Sequence, residues 1–214
     1  MPVYSFNGRA ALRHAWSKPL VWAVCAGPLT WLVWGAWQDA LGANPAEALI
    51  RQTGEMALRL LCVTLTLTPL RVQLRWPELA GFRRMLGLWA YAYALLHFVC
   101  YAWLDMGWDM PDIVRDVAKR PFILVGVLCL SLLTPLALTS WHGAVRWMGG
   151  LRWQRLHRVV YAVAPLVILH FFWMRASKNR FDEVWVYGVW LAAVLMWRAA
   201  RAWRTTALQP TKRS

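Results

Sequence analysis

Six stretches of this chain are long and apolar enough to cross a lipid bilayer, and nearly every charge lies between them. They run approximately over residues 19–37, 54–70, 85–104, 121–140, 157–174 and 184–200. A membrane helix needs about 20 mainly apolar residues, so six of them occupy most of a 214-residue chain. Only 16% of the residues are charged, against about 25% in soluble domains. The expected architecture is an all-α integral membrane six-helix bundle. An N-terminal segment (1–18) and a basic tail (201–214) flank the membrane domain (19–200), which leaves no room for a second globular domain.

The charges between these runs are segregated by sign. One alternating set of loops carries Arg9, Arg13, Lys18, Arg71, Arg75, Arg83, Arg84, Arg146, Arg152, Arg155 and Arg158. It continues with Arg198, Arg201, Arg204, Lys212 and Arg213. The other set carries Asp39, Glu47, Glu55, Asp105, Asp109, Asp112, Asp116, Asp182 and Glu183, so Glu78 is the only acid that falls with the basic set. Positive charge marks the cytoplasmic side, so both termini are expected there. Many of the 17 tryptophans lie near segment ends, as an interfacial aromatic belt requires.

The net charge of +14 belongs to this topological pattern and not to a folded basic face, which excludes a nucleic-acid partner. Cys25, Cys62, Cys100 and Cys129 each sit inside an apolar run without a CxxC; they read as small buried hydrophobes. The first apolar run has no small-residue cleavage site and reads as a span, not a signal peptide.

Ionisable groups inside a membrane segment are costly and mark functional sites. His97 lies in Leu95-Leu96-His97-Phe98-Val99 of the third run, and His170 in Ile168-Leu169-His170-Phe171-Phe172 of the fifth. With one span between them, these runs point the same way. His97 follows Arg84 by thirteen residues and His170 follows His157 by thirteen, a rise of about 20 Å. His97 and His170 should therefore share one depth towards the periplasm, and His157 and Arg84 another near the cytoplasm. Two neutral imidazoles at one depth suit the axial positions of a haem iron in a bundle core.

His157 is the candidate ligand of a second haem, with Arg83 and Arg84 as propionate partners and His142 as an alternative ligand. Thirteen residues of ideal helix turn by about 220°, so His157 and His170 share a groove only if Pro165 shifts the helix phase. Arg59, expected near the outer end of the second segment, either snorkels to the interface or pairs a propionate of the upper haem. Gly87 and Gly126 are candidates for close porphyrin approach or ordinary helix packing.

Several motifs occur in a fixed order. They are Thr64-Leu65-Thr66-Leu67-Thr68-Pro69-Leu70-Arg71, Arg83-Arg84-Met85-Leu86-Gly87-Leu88 and Tyr93-Ala94-Leu95-Leu96-His97. Then come Lys119-Arg120-Pro121-Phe122, Leu136-Ala137-Leu138-Thr139-Ser140 and Trp153-Gln154-Arg155-Leu156-His157-Arg158-Val159-Val160-Tyr161, ending at His170. Over roughly residues 15–200 this order resembles the MsrQ (YedZ) family. These are haem-binding membrane subunits of periplasmic methionine sulfoxide reductase systems, related to the transmembrane domain of ferric reductases. The resemblance implies b-type haem held by His97, His157 and His170, with one or two haems, and FMN as a reported further cofactor. It implies a multi-pass protein of the bacterial inner membrane that draws electrons from the quinone pool and passes them to MsrP, a soluble periplasmic molybdopterin enzyme, for repair of oxidised periplasmic proteins. The chain would then be a non-catalytic electron-transfer subunit. The acidic residues Asp105, Asp109, Asp112 and Asp116 would face the partner and steer docking.

Two other functions compete. A self-contained ferric reductase-like metalloreductase needs a soluble FAD- and NADPH-binding domain, for which the chain has neither a GxGxxG nor the length. A cofactor-free small transporter predicts a histidine-lined path without visible absorption.

Overall fold

The computed structural model describes residues 8–176 and 181–207, which are helical with no strand among them. Lys212 and Arg213 lie outside the described residues. The helices are α1 (Gly8–Arg13), α2 (Ser17–Trp37), α3 (Pro45–Leu74), α4 (Ala80–Cys100), α5 (Met110–Lys119), α6 (Pro121–Leu138), α7 (His142–Met148), α8 (Gly150–His157), α9 (Val160–Ala176) and α10 (Asp182–Ala207). Five spans are long and apolar enough to cross a membrane: α2, α3, the stretch around α4, α6, and α8 with α9. The 26-residue α10 is about 39 Å long at helical rise and packs on α9 and α3 as the sixth member. α3 packs on α4, α4 on α6, and α6 on α9, while α2 lies outside against α3 and α4.

The second apolar run extends further than its hydropathy indicates. α3 begins at Pro45, nine residues before the expected start, because Asn44 caps it: its side chain accepts the Glu47 N–H at 3.1 Å. Proline at the first helical position and a glutamate at the third complete a strong start signal. α3 ends at Leu74, capped by Arg75 in the left-handed region at φ 56°. Glu55 and Arg59, expected near a loop, are therefore inside the helix.

Pro69, near the end of the second apolar run, also lies inside α3. Proline cannot donate to the carbonyl four residues back, which leaves Leu65 O free, and a bare carbonyl in a bilayer is costly. Arg198 of α10 donates to it from Nη2 at 2.7 Å. Threonines in α3 turn their hydroxyls onto their own helix: Thr53 on Leu49 O at 2.6 Å, Thr64 on Leu60 O at 2.6 Å and Thr66 on Cys62 O at 2.8 Å.

The segment holding His157 and His170 is broken. α8 ends at His157 and α9 starts at Val160, with Val159 N–H donating to Leu156 O and Tyr161 N–H to Arg158 O, both at 3.0 Å. These shorter steps reset the helix phase between the two histidines; the expected shift at Pro165 is not the only interruption. All four cysteines are free and buried.

Tyr93, 1% exposed, donates from its hydroxyl to Cys25 O at 2.8 Å, tying α4 to α2. Tyr93→Phe removes that bond while Cys25 O keeps its place in the α2 ladder, so it should cost about 1 kcal/mol. Thermal unfolding in detergent measures this, and an unchanged midpoint would contradict the tether.

Candidate functional site between four helices

His97 of α4 and His170 of α9 meet, as their matched depth predicts. Their ring centroids are 6.2 Å apart and the planes cross at 79°. Neither ring is held by its own helix. His97 Nδ1 lies 2.7 Å from Ile50 O of α3, and His170 Nδ1 lies 2.6 Å from Phe122 O at the start of α6. A carbonyl only accepts, so each Nδ1 carries the proton and each Nε2 of a neutral imidazole keeps its lone pair. A second bond of this kind fixes tautomer and ring orientation in metal-binding histidines. The two lone pairs belong to rings on opposite sides of one cavity.

A glycine sits one turn beyond each carbonyl. A Cβ on Gly54 would come within 2.9 Å of His97 Nδ1, and a Cβ on Gly126 within 2.8 Å of His170 Cε1. Both are closer than real Cβ contacts, so only glycine lets the rings lie against α3 and α6. Gly126 thus has a role the sequence suggested in part; Gly54 does not stand out in sequence. Gly87 instead faces Thr64 Cγ2 at 3.7 Å, an ordinary packing position. The cavity has a volume of about 320 Å³ and is lined by residues of α3, α4, α6 and α9, with apolar walls such as Leu58, Ala90 and Leu133. A metal bound by two imidazole nitrogens at about 2 Å each sets the ring centroids roughly 6 Å apart, which the observed spacing matches. His97 and His170 would hold such a metal through their Nε2 atoms, leaving its other positions to a bound cofactor.

The remaining expected site residues are elsewhere. Arg59 does not line this cavity; Nε donates to Tyr187 OH at 3.0 Å and Nη2 pairs Glu55 at 3.2 Å. His157 lies at the basic end of the bundle. It stacks on Trp153 at 3.9 Å, and Nε2 is 3.1 Å from Thr139 Oγ1. No second imidazole contacts it among the described residues. Arg83 reaches Thr68 Oγ1 at 3.5 Å and is near enough to act electrostatically on His157. Arg84 and His142 are exposed.

Sequence reading missed Arg175, which looks like a charge closing an apolar run. It is 4% exposed and pairs Glu55 at 2.7 Å and Glu183 at 2.5 Å. It borders the histidine cavity and a second cavity between α2 and α3. The signal available in sequence was an arginine and a glutamate both placed within membrane-length segments, each needing a partner. Arg175→Met leaves Glu55 to Arg59 alone and Glu183 to solvent, and should cost about 1–3 kcal/mol, whereas Arg175→Met with Glu55→Gln should cost less than the two changes added. Unfolding in detergent measures both, and an Arg175→Met protein as stable as wild type would contradict the pairing.

Residues 53–168 match the family model for the ferric reductase like transmembrane component. That region contains His97 and His157 and stops two residues before His170. A protein-methionine-sulfoxide reductase heme-binding subunit MsrQ of Polaromonas naphthalenivorans is 57% identical over 192 residues, covering 90% of this chain and 88% of the relative. The subunit of the same name from Herminiimonas arsenicoxydans is 48% identical, covering 78% of this chain and 76% of its own. That of Caulobacter vibrioides is 43% identical over 88% of this chain and 89% of its own. No solved structure matches. Apolar helices and relatives together describe a multi-pass bacterial inner-membrane protein. With the family model covering more than half of its length and these relatives most of it, the chain belongs to the ferric reductase like transmembrane family, alongside the MsrQ subunits.

Proposed function

We propose that this protein is the haem-binding membrane subunit of a protein-methionine-sulfoxide reductase system. It carries electrons from the quinone pool to a periplasmic molybdopterin reductase of the MsrP type. The observation that carries the reading is the His97–His170 pair: two rings locked by Nδ1 bonds to neighbouring helices, 6.2 Å apart across one cavity. The names of the relatives support the cofactor and the system. With the basic loops inside, both termini are cytoplasmic and the histidine pair lies in the periplasmic half.

Haem bound there supplies a one-electron couple. The chain's own residues hold and shelter it. His97 and His170 present their Nε2 lone pairs, and Ile50 O and Phe122 O keep those rings from turning. Gly54 and Gly126 provide the space behind the rings, and the apolar walls exclude water. At the cytoplasmic end, His157, Arg83 and Arg84 form a cationic approach where electrons enter. His157 engages Thr139 and Trp153 and contacts no second imidazole among the described residues, so the reading places haem between His97 and His170.

An optical spectrum of detergent-purified protein, oxidised and dithionite-reduced, tests this. Wild type should show a b-type pattern that His97→Ala and His170→Ala each abolish. Gly126→Ala should keep the fold and shift the spectrum, because the methyl group displaces the His170 ring. Crossed imidazole planes leave two iron d orbitals nearly equal in energy, so the ferric protein should give a strongly anisotropic low-spin signal by electron paramagnetic resonance and not a resolved rhombic one. A folded wild-type protein that stays colourless with ample haem supply would overturn the proposal. An oxidised protein that quinol analogues cannot reduce, or a reduced one that a periplasmic reductase cannot reoxidise, would overturn the assigned electron path.

A further inference from the structure

The histidine cavity is polar at one end only. Along its length the walls are apolar, and every charged group that borders it lies where the helices approach the acidic loops. These groups are Glu47, Arg51 and Glu55 in the first turns of α3, Asp105 after α4, Arg120 at the start of α6 and Arg175 at the end of α9. A haem carries two propionate carboxylates, and burying them unpaired at the apolar end would be costly. If haem fills the cavity, its carboxylates face the acidic-loop end.

The cations at that end differ in what they already hold. Arg175 already carries two carboxylates, Glu55 and Glu183, both through Nη2, while its buried Nε has no partner among the described residues. Arg59 does not border the cavity and is tied to Glu55 and Tyr187. Arg120 pairs Asp116 from Nε at 2.8 Å, and its terminal nitrogens make no hydrogen bond among the described residues. Arg51 has no ion pair among the described residues, although it borders the cavity and is exposed on its other side. Two arginines with donors to spare stand at the one end where two carboxylates belong. They sit on either side of the rings: Arg51 follows Ile50, the acceptor of His97, and Arg120 precedes Phe122, the acceptor of His170, by two residues. Asp105 also borders this end, exposed to solvent, and sets a limit on how much negative charge the mouth tolerates without both arginines.

We infer that Arg51 and Arg120 are the propionate-binding residues of this cavity, in place of Arg59. The assignment rests on the haem reading above. Arginine suits the role because its planar fork meets a carboxylate through two parallel bonds.

The test uses the full-length protein in detergent, loaded either with haem b or with its dimethyl ester, which lacks the carboxylate charges. The readout is the rate at which haem leaves for apomyoglobin. Arg51→Gln and Arg120→Gln should each release haem b about tenfold faster than wild type, in line with the loss of one charged hydrogen bond. For the dimethyl ester the variants and wild type should release at the same rate. Arg51→Lys should recover part of the loss, and Arg59→Gln should match wild type. Both arginines are exposed enough that neutral replacements leave the fold intact, which circular dichroism checks. If Arg51→Gln and Arg120→Gln retain haem b as wild type does, the inference is overturned while the haem reading stands. If they speed release of both haem forms equally, the arginines support the fold and do not bind the carboxylates, which also overturns it. Wild-type protein that binds neither form would overturn the haem reading itself.

Discussion

Each imidazole of the central pair is oriented by a helix that is not its own. His97 belongs to α4 but is oriented by α3; His170 belongs to α9 but is oriented by α6. The site is therefore a property of four helices, and two histidine-bearing helices alone would not make it. The carbonyls that accept from the rings sit in the first turns of α3 and α6. Ile50 belongs to the part of α3 that exists because Asn44 caps the helix early. Phe122 lies at the start of α6, where proline at the first position and the preceding Arg120 set the helix entry. Helix starts, normally a matter of local chemistry, here decide where a ring nitrogen points.

The same α3 is the most polar of the central helices, and its polarity is absorbed in three ways. Threonine hydroxyls bond back to carbonyls one turn earlier, so they add no unsatisfied group. The carbonyl that Pro69 leaves open is taken by Arg198, whose guanidinium also donates to Tyr161 OH at 2.8 Å. Glu55 is shared between Arg59 on its own helix and Arg175 on α9. Removing a buried charge's partner costs more than the pair itself contributes, so these contacts fix which helices can neighbour α3 more than they add stability.

Hydropathy and charge carried most of the architecture into view. The alternation of basic and acidic loops gave the order of the spans, and the common depth of His97 and His170 followed from counting residues along parallel helices. Counting depth is insensitive to where a helix begins, which is why it succeeded although α3 starts nine residues early. The features that escaped are the ones that depend on partners far away in sequence. Arg59 stayed open between the interface and a propionate because its actual partners, Tyr187 and Glu55, are visible only in three dimensions. Gly54 carries no pattern that separates it from any helix-packing glycine. The reset of phase at 158–159 has no proline at its centre, so Pro165 drew the attention that belonged to the turn before it.

The pairing of Glu55 with Arg175 also has a consequence for how the chain is made. The two residues are 120 positions apart, and at synthesis rates of about 5–20 residues per second α3 enters the membrane roughly ten seconds before its counter-charge exists. Over that interval Glu55 has a cation on its own helix in Arg59, four residues on, at 3.2 Å in the finished protein. That neighbour gives a newborn helix a provisional partner inside the translocation machinery, to be shared with Arg175 once the fifth span arrives. Assembly order, and not only the final fold, is thus written into the spacing of three charged residues.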